Sequence, residues 1–600
     1  MFDHQLDIAA QSILQAFDRL SLPAPKEITW ASTPFSGQWG FGSAVCFQVA
    51  AAEARDGKKI NVPARAEEIA DLIQREIGIP EGFARTEAVR GYLNVFVEPA
   101  VYAGTVLDTV LDQGDDFGRG TPKSDRVMVE YSQPNTHHSF HIGHARNTFL
   151  GESLARIVEF SGFETIRASY PGDHGLGVIK CMWAYKRFFE GQEPEGVHER
   201  GQWLLNVYAE ANALLGLDED EDELKSAEQP QYEAEVREMY QKWDAGDPEV
   251  RQLWAKTRQW SLDEFEDILK MLDVKIDVFF YESEVDEPAK EIVEELIQLG
   301  IAEDERPQGG PVIVKIDEKL GLKKEKYRTA VLLRSDGTTL YLAKDLALAK
   351  AKFEQYKVDR SLYVVDVRQS FHFEQAFKIL ELWGFPQAAK CDHLAYGFVS
   401  LPEGAMSARR GNVVLFKDVV DETFRRVCEI IDEKNPDLAP EKRDLAAKQV
   451  SLGALSYAML SIDSIKDMVF DWDRALDFEG QAAPYIQYAH VRANSILQRA
   501  GQLPNSATIE HELASSEIQL LDRISRFPEE VERATADYKP MIIANYAYDL
   551  ARDFTDFYQH CPVLKAEGTV RATRLRLTAA AKQVLATSLR LLDIQAPDAM

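Results

Sequence analysis

The chain has 600 residues, 45% of them hydrophobic and 28% charged, and a formal net charge of −30 at pH 7. That length suits roughly three to four domains of about 150 residues each, the composition is that of a soluble globular protein, and no apolar run approaches the ~20 residues of a membrane span. Five scattered cysteines (Cys46, Cys181, Cys391, Cys428, Cys561), with no CxxC pair and no adjoining histidines, predict neither a zinc site nor a disulfide framework.

The first element, MFDHQLDIAAQSILQAFDRL, has helical periodicity, carries Asp3, Asp7 and Asp18, and shows no cleavage site. It reads as a folded helix and not a signal peptide, so a cytoplasmic protein is expected. A Gly-rich passage (PFSGQWGFGSAVCFQVA), a helix around Ala66 to Ile77 and the strand-like RGYLNVFVEP complete an α+β module over residues 1–115. Val127, Met128 and Val129 then form a short strand-type run that Ser132-Gln133-Pro134-Asn135 breaks. A helix follows, because Leu150, Leu154, Ile157 and Val158 recur at i, i+4, i+7 and i+8, with Gly162 at the expected stop. Ile166, Ala168 and Tyr170 alternate in a second strand. The unit is βαβ, and ligands of such units sit at the carboxyl ends of the strands, where His141 and His144 fall.

The region 190–260 reads as an insertion, with LDEDEDELKSAEQPQYEAEVREMY (Leu217 to Tyr240) concentrating acid on a solvated helical or loop segment. KIDVFFYESEV, VIVKI, AVLLRSDGTTLYLAKD and SLYVVDV supply further strand candidates between helical patterns. After about residue 440 the strand signals stop, and the rest is helical and rich in Ala, Leu and Arg. No internal repeat or low-complexity tract is present.

The chemistry starts at the helix that follows VMVEYSQPNTHHSFHIGHARN (Val127 to Asn147). Backbone N–H groups and the dipole at a helix start favour an anion such as a triphosphate, and two imidazoles at i and i+3 share one face and can donate to its oxygens. An H-x-G-H on its own equally describes a capping histidine beside a solvated one. The loop carries neither GxGxxG nor GxxxxGK[ST], and strand-PN-x5-HIGH-helix resembles the adenylate-forming site of class I aminoacyl-tRNA synthetases. Far downstream, GAMSARRGNVV (Gly404 to Val414) resembles that class's KMSKS loop, a mobile basic loop that closes over the triphosphate and stabilises the leaving pyrophosphate. Ala405 and Ala408 stand where the signature has lysines, so Arg409 and Arg410 are the remaining cations, and arginine can clamp phosphate oxygens bidentately. The alternative for this stretch is a basic surface turn with a Gly-Asn end.

With both signatures placed, the phrases around them resemble the arginyl-tRNA synthetase family over roughly residues 30 to 600: VEYSQPN before HIGH, GDHG at 172 to 175, TLYLAKD, YVVDVRQSFHFEQAFKILELWGF, FEGQAAPYIQYAHVRANSIL and the closing LLDIQAPDAM. The departures are His138 where many relatives carry an ATP-holding lysine, His174 for a usual Trp, Gln481 for a usual Asn, and the lysine-free loop at 405–410. The resemblance implies an α/β fold with a Rossmann-like parallel-sheet catalytic core over 116–440, interrupted near 190–260. It also implies an N-terminal module (1–115) that grips the outer corner of tRNA and an all-α C-terminal anticodon-binding bundle (441–600). It implies ATP as substrate with Mg2+, no zinc, L-arginine, tRNA(Arg) and a monomer.

The family's site residues carry over one by one. His141, His144, Ser407, Arg409 and Arg410 match the activation machinery, and His138, His141, Gly143, His144 and Met406 match the ATP contacts. A guanidinium is planar and permanently cationic and demands carboxylates or acceptor oxygens in its plane. By resemblance Tyr341 and Asp345, four apart across a strand-to-helix junction, read it with Glu282 as second carboxylate, while Glu130, Asn135 and Gln369 serve the amino group. Taken singly, Tyr341 reads as core, Asp345 as a helix-start residue and Gln369 as surface.

Tyr485, Tyr488 and Arg492 suit a reader of unstacked anticodon bases, although such residues in an amphipathic helix are ordinarily structural. Phosphate contacts need clustered cations, so the total of −30 requires a local basic face. Two rival functions remain at this stage: a small-molecule nucleotidyltransferase sharing the HxGH core, and a non-catalytic tRNA-binding paralogue.

Overall fold

The computed structural model describes residues 2–33, 38–55, 60–216, 228–400 and 414–598. The chain divides into two compact units, one built from Met1–Gly118, Tyr488–Glu530 and Tyr546–Thr587, the other from Arg119–Gln487, Val531–Asn545 and Ser588–Met600. The first begins with α1 (Asp3–Arg19), β1 (Ala31–Ser32), β2 (Gly40–Ser43), α2 (Val45–Arg55), α3 (Val62–Ile77), β3 (Phe83–Val89), β4 (Tyr92–Val97) and α4 (Pro99–Gln113). The strands form an antiparallel sheet in the order β1-β2-β4-β3. Ile13, Phe17, Val49, Ile69, Ile73 and Leu93 close its core, each from the apolar stripe of its element.

The second unit is built on a five-stranded parallel sheet. β5 (Arg126–Glu130) leads through α5 (Ile142–Phe160) to β6 (Glu164–Ser169); the helices α6 (Leu176–Ala184), α7 (Val197–Leu214), α8 (Gln229–Asp244) and α9 (Pro248–Met271) intervene before β7 (Val278–Phe279). α10 (Glu282–Gln298), β8 (Glu303–Asp304), β9 (Val312–Lys315), α11 (Ile316–Lys319), β10 (Thr329–Leu333) and α12 (Tyr341–Gln355) precede β11 (Arg360–Asp366), α13 (Ser370–Leu382) and β12 (Cys391–Tyr396). The sheet order is β12-β11-β5-β6-β7, with β8, β9 and β10 in a separate antiparallel sheet. The chain runs outward from β5 in one direction and returns to the other side through β11, so the crevice where the order reverses lies between their carboxyl ends. β5 reads as a continuous apolar run because it is central and covered on both faces: Val127, Met128 and Val129 are buried. Met128 packs in a core shared with Val285, Ile292 and Leu296 of α10, Leu342 and Leu346 of α12 and Ile379 of α13.

β13 (Val399–Ser400), α14 (Phe416–Lys434), α15 (Pro440–Leu460), β14 (Met468–Val469) and α16 (Trp472–Ala475) follow, then α17 (Ala483–Ala500), α18 (Ser515–Ser525), α19 (Phe527–Ala536), α20 (Pro540–His560) and α21 (Gly568–Leu591). Several expectations shift. The candidate at 275–285 yields only Val278–Phe279, because Val285, Ala289, Ile292, Val293 and Leu296 carry the helical period of α10. Tyr170 lies just beyond the end of β6. A strand does occur after residue 440: Met468–Val469 pairs in parallel with Val399–Ser400, and two residues are too few to show alternation. Tyr341 and Asp345 both lie in the first turns of α12 and do not straddle a junction. Among the described residues no helix is long and apolar enough to cross a membrane.

Candidate active site

His141 is the N-cap of α5. Its Nδ1 accepts from the N–H of Gly143 at 3.1 Å and of His144 at 3.4 Å, while His144 Nδ1 accepts from the N–H of His141 at 3.3 Å. The two imidazoles thus form a reciprocal capping box, with ring centroids 3.6 Å apart. Burial, with His138 nearby, pushes His141 down to about 4; burial with His141 and His138 holds His144 well below the usual histidine range. Burial brings His138 itself to about 4, and its ring lies 4.3 Å from that of Tyr208. Both caps are therefore neutral at pH 7, and since Nδ1 is the acceptor in each, the hydrogen-bond network assigns the ring proton to Nε2. One nitrogen of each ring holds the helix start, and the other presents an N–H donor. The capping and phosphate readings of HxGH use opposite edges of the same rings.

The crevice is tied together behind these rings. Asn147 accepts from the N–H of Ser132 after β5 and donates from Nδ2 to the Val364 carbonyl of β11 at 2.7 Å, so one side chain spans the switch point. Arg146 is fully buried and donates to the carbonyls of Gly397, Phe398, Ser464 and Lys466 at 2.7 to 3.3 Å. Ile142 N–H donates to the Val414 carbonyl and Phe416 N–H to the Phe140 carbonyl, each at 3.1 Å. Met406, Ser407, Arg409 and Arg410, with Ala405 and Ala408, lie outside the described residues, as does the acidic stretch 217–227.

Four carboxylates converge on the other side of the crevice. Tyr170 registers them: burial first, then Asp345, Glu282, Glu130 and Asp173, hold its phenol well above the usual range. Three of the four are paired with a lysine or an arginine. Glu130 pairs with Lys352 at 2.5 Å, Glu282 with Lys344 at 2.8 Å and Asp173 with Arg258 at 2.8 Å. Asp345 instead hydrogen-bonds Nε2 of His372. Asn135 sits here as well, because a Cβ on Gly172 would fall 2.3 Å from its Oδ1 and 3.3 Å from Glu282 Oε2, so only glycine fits between them. Glu282, Lys344 and Tyr341 line an open cleft of about 720 Å³ with Asp286, His174 and Trp243. Tyr341 stands at its mouth, 69% exposed, and Gln369 is exposed at the start of α13.

The structure therefore gathers Glu130, Asn135, Glu282 and Asp345 at one crevice and the histidines at the α5 start, with Tyr341 and Gln369 outermost. Sequence reading missed Asn147, Arg146, Tyr170, Lys344, Lys352 and His372. A signal existed for the lysines: Lys344 and Lys352 lie on one i, i+4 row with the buried Leu348. Among the described residues no group of three His, Cys, Asp or Glu is placed to hold a metal ion.

Paired imidazoles at the start of the first crossover helix, on a parallel sheet opened at its switch point, fit a class I aminoacyl-tRNA synthetase, and the family match places the chain in that class. Residues 106–472 match the family of class I tRNA synthetases (R), catalytic domain, and residues 486–600 match the DALR anticodon binding domain. The chain is 36% identical to the arginine–tRNA ligase of Bdellovibrio bacteriovorus, covering 86% of this chain and 87% of that protein. It is 34% identical to that of Clostridioides difficile, over 89% and 90%. The solved arginyl-tRNA synthetase of Thermus thermophilus superposes with a TM-score of 0.77 at 26% identity, covering 100% of both chains. The chain belongs to the arginine–tRNA ligase family.

Proposed function

We propose that this chain joins arginine to tRNA in two steps, with His141 and His144 holding the ATP phosphates and Asp345 the guanidinium. The arginine carboxylate attacks the α-phosphorus of ATP and pyrophosphate leaves; the hydroxyl of the tRNA's 3′-terminal adenosine then takes the arginyl group and AMP leaves. No side chain acts as a covalent nucleophile, so catalysis is positioning and charge stabilisation. Nε2–H groups donate to phosphate oxygens without adding net charge, which fits ATP arriving as its Mg2+ complex. His138 and Gly143 complete the ATP contacts with Met406, and Ser407, Arg409 and Arg410 steady the leaving pyrophosphate. What supports the latter is that Val414 and Phe416, just beyond that stretch, bond to Ile142 and Phe140 beside the histidines.

The observation that carries the substrate assignment is the charge pattern around Tyr170. Of the four convergent carboxylates, Asp345 alone is paired with an imidazole and not with a lysine or arginine, which leaves it as the partner for a guanidinium. Asn135, Glu130 and Gln369 serve the amino group, with Glu130 oriented by Lys352; Glu282, oriented by Lys344, and Tyr341 flank the guanidinium. Asp345→Asn should raise the KM for arginine about ten- to a hundredfold, the value of a charge-assisted hydrogen bond of about 1.5–3 kcal/mol, and leave the KM for ATP nearly unchanged in ATP–pyrophosphate exchange with tRNA present. An unchanged arginine KM would move the guanidinium to another carboxylate.

For RNA, Arg492 lies over the rings of Tyr488 and Tyr558 at 4.7 and 4.9 Å, and both tyrosines are more than two-fifths exposed. Two exposed tyrosines on either side of a half-buried arginine offer stacking faces to unpaired anticodon bases. The N-terminal module contacts the outer corner of the same tRNA. This reading also takes the protein to be a cytoplasmic monomer.

A further inference from the structure

The helices inserted between β6 and β7 do more than line the site, because one face of α9 grips the loop that leads into His141. Ser261 Oγ accepts from the N–H of His137 at 2.8 Å, and Thr257 Oγ1 lies 2.8 Å from His137 Nε2. Glu264 Oε1 accepts from Ser139 Oγ at 2.6 Å. Positions 257, 261 and 264 follow the i, i+4, i+7 row of a helix face, and all three side chains are at most 3% exposed. The segment they hold has no regular structure of its own. His137 has a φ of +63°, a left-handed conformation that a residue with a Cβ rarely adopts and that persists only where its surroundings enforce it.

Glu264 is itself braced from behind. A Cβ on Gly201 of α7 would lie 2.2 Å from its Oε2, so helix backbone approaches the carboxylate directly. The same face of α9 also holds the loop after β6: Trp254 Nε1 donates to the Asp173 carbonyl and Arg258 Nε to the Asp173 carboxylate, each at 2.8 Å. α9 is thus a common support for the loop that enters the histidine site and for the loop that carries Gly172 and Asp173.

We propose that Ser261 and Glu264 are positioning residues for amino-acid activation, fixing residues 137–140 so that the imidazoles of His141 and His144 meet the ATP phosphates. This makes the inserted helices part of the activation machinery, and it rests on the reading that ATP binds at the α5 start. A misplacement of the order of 1 Å at such a site costs up to about a hundredfold in rate.

Ser261→Ala, Glu264→Ala and Glu264→Gln test it by ATP–pyrophosphate exchange with tRNA present, with arginine and ATP varied separately and thermal unfolding measured in parallel. Ser261→Ala and Glu264→Ala should lower kcat by about tenfold or more while the arginine KM stays within about twofold. Burial lifts the Glu264 carboxyl to about 7, so glutamine is its close mimic, and Glu264→Gln should recover most of the rate because its amide oxygen accepts the same bond from Ser139. Wild-type kcat in both alanine variants, or an arginine KM that rises as steeply as kcat falls, overturns the proposal. Should Glu264→Ala not fold, Ser261→Ala, which removes a single oxygen, decides it. His141→Ala separates the two readings: if it too turns over at wild-type rate, ATP lies elsewhere, and if it alone is slowed by tens-fold, only the positioning role fails.

Discussion

At the scale of single residues, the site depends on which form each side chain takes. His141 and His144 were legible because their spacing places them at a helix start, but their tautomer follows only from the reciprocal Nδ1 bonds. The folded value of His141, about 4, is depressed below the usual 6.5. Between those two pH values an unfolded chain takes up a proton that the folded helix start does not, so stability drains as pH falls through this window and is fully present above it. Below about 4 the Nδ1 lone pair is lost and with it the cap. The rate of ATP–pyrophosphate exchange should therefore stay flat through neutrality to about pH 5, as far as this group is concerned, and fall towards pH 4. A midpoint near 6.5 would show imidazoles in ordinary contact with water. Glu130 and Glu282 illustrate what was not legible: each carries a formal charge in the sequence, and only the structure shows that Lys352 and Lys344 have already matched them.

At the scale of elements, α5 is more than a carrier for two histidines. Arg146, in the second turn of the helix, satisfies four carbonyls from the segments just before β13 and just before β14. Replacing it by Met would leave several buried acceptors unpaired, at about 1–3 kcal/mol each before relaxation. Arg146→Met should cost about 3–5 kcal/mol in urea denaturation, and Arg146→Lys should recover little, because one ammonium cannot span a fork of carbonyls. Stability equal to wild type would mean that water replaces the guanidinium. The helix itself was readable from Leu150, Leu154, Ile157 and Val158, all buried. Its partners were not, since a 3.6-residue period gives a face and not the neighbour of that face.

At the scale of the whole molecule, a net charge of −30 requires local cations for RNA binding, and the proposed one is Arg492 between Tyr488 and Tyr558. The logarithm of the affinity for cognate tRNA should fall linearly with log salt concentration, and Arg492→Ala should weaken binding and flatten that slope by about one contact, read in filter-binding or fluorescence titrations. A salt-independent affinity would remove the electrostatic contact. Truncating the C-terminal region is the poorer test. Ser153 Oγ donates to the Leu591 carbonyl and Arg156 pairs with Asp593 at 2.6 Å, so loss of residues 588–598 would strip α5 of partners as well.

The order of the chemistry is written in the amino-acid sequence: the apolar run of β5, the breaking turn, the paired histidines at a helix start and the helical patterns after about residue 440 are local, and local sterics and periodicity dictate them. Tertiary structure decided the rest. That residues 1–118 share a compact unit with 488–530 and 546–587, that α9 reaches back to residues 137–140, and that Asp345 is left to an imidazole while its three neighbours meet cations are all matters of contact between distant positions. Glu130 and Lys352 meet because β5 and the end of α12 are brought together by the packing of a sheet whose strand order reverses at β5. A local pattern fixes which way a side chain faces, and only the assembled sheet and helices fix what it faces.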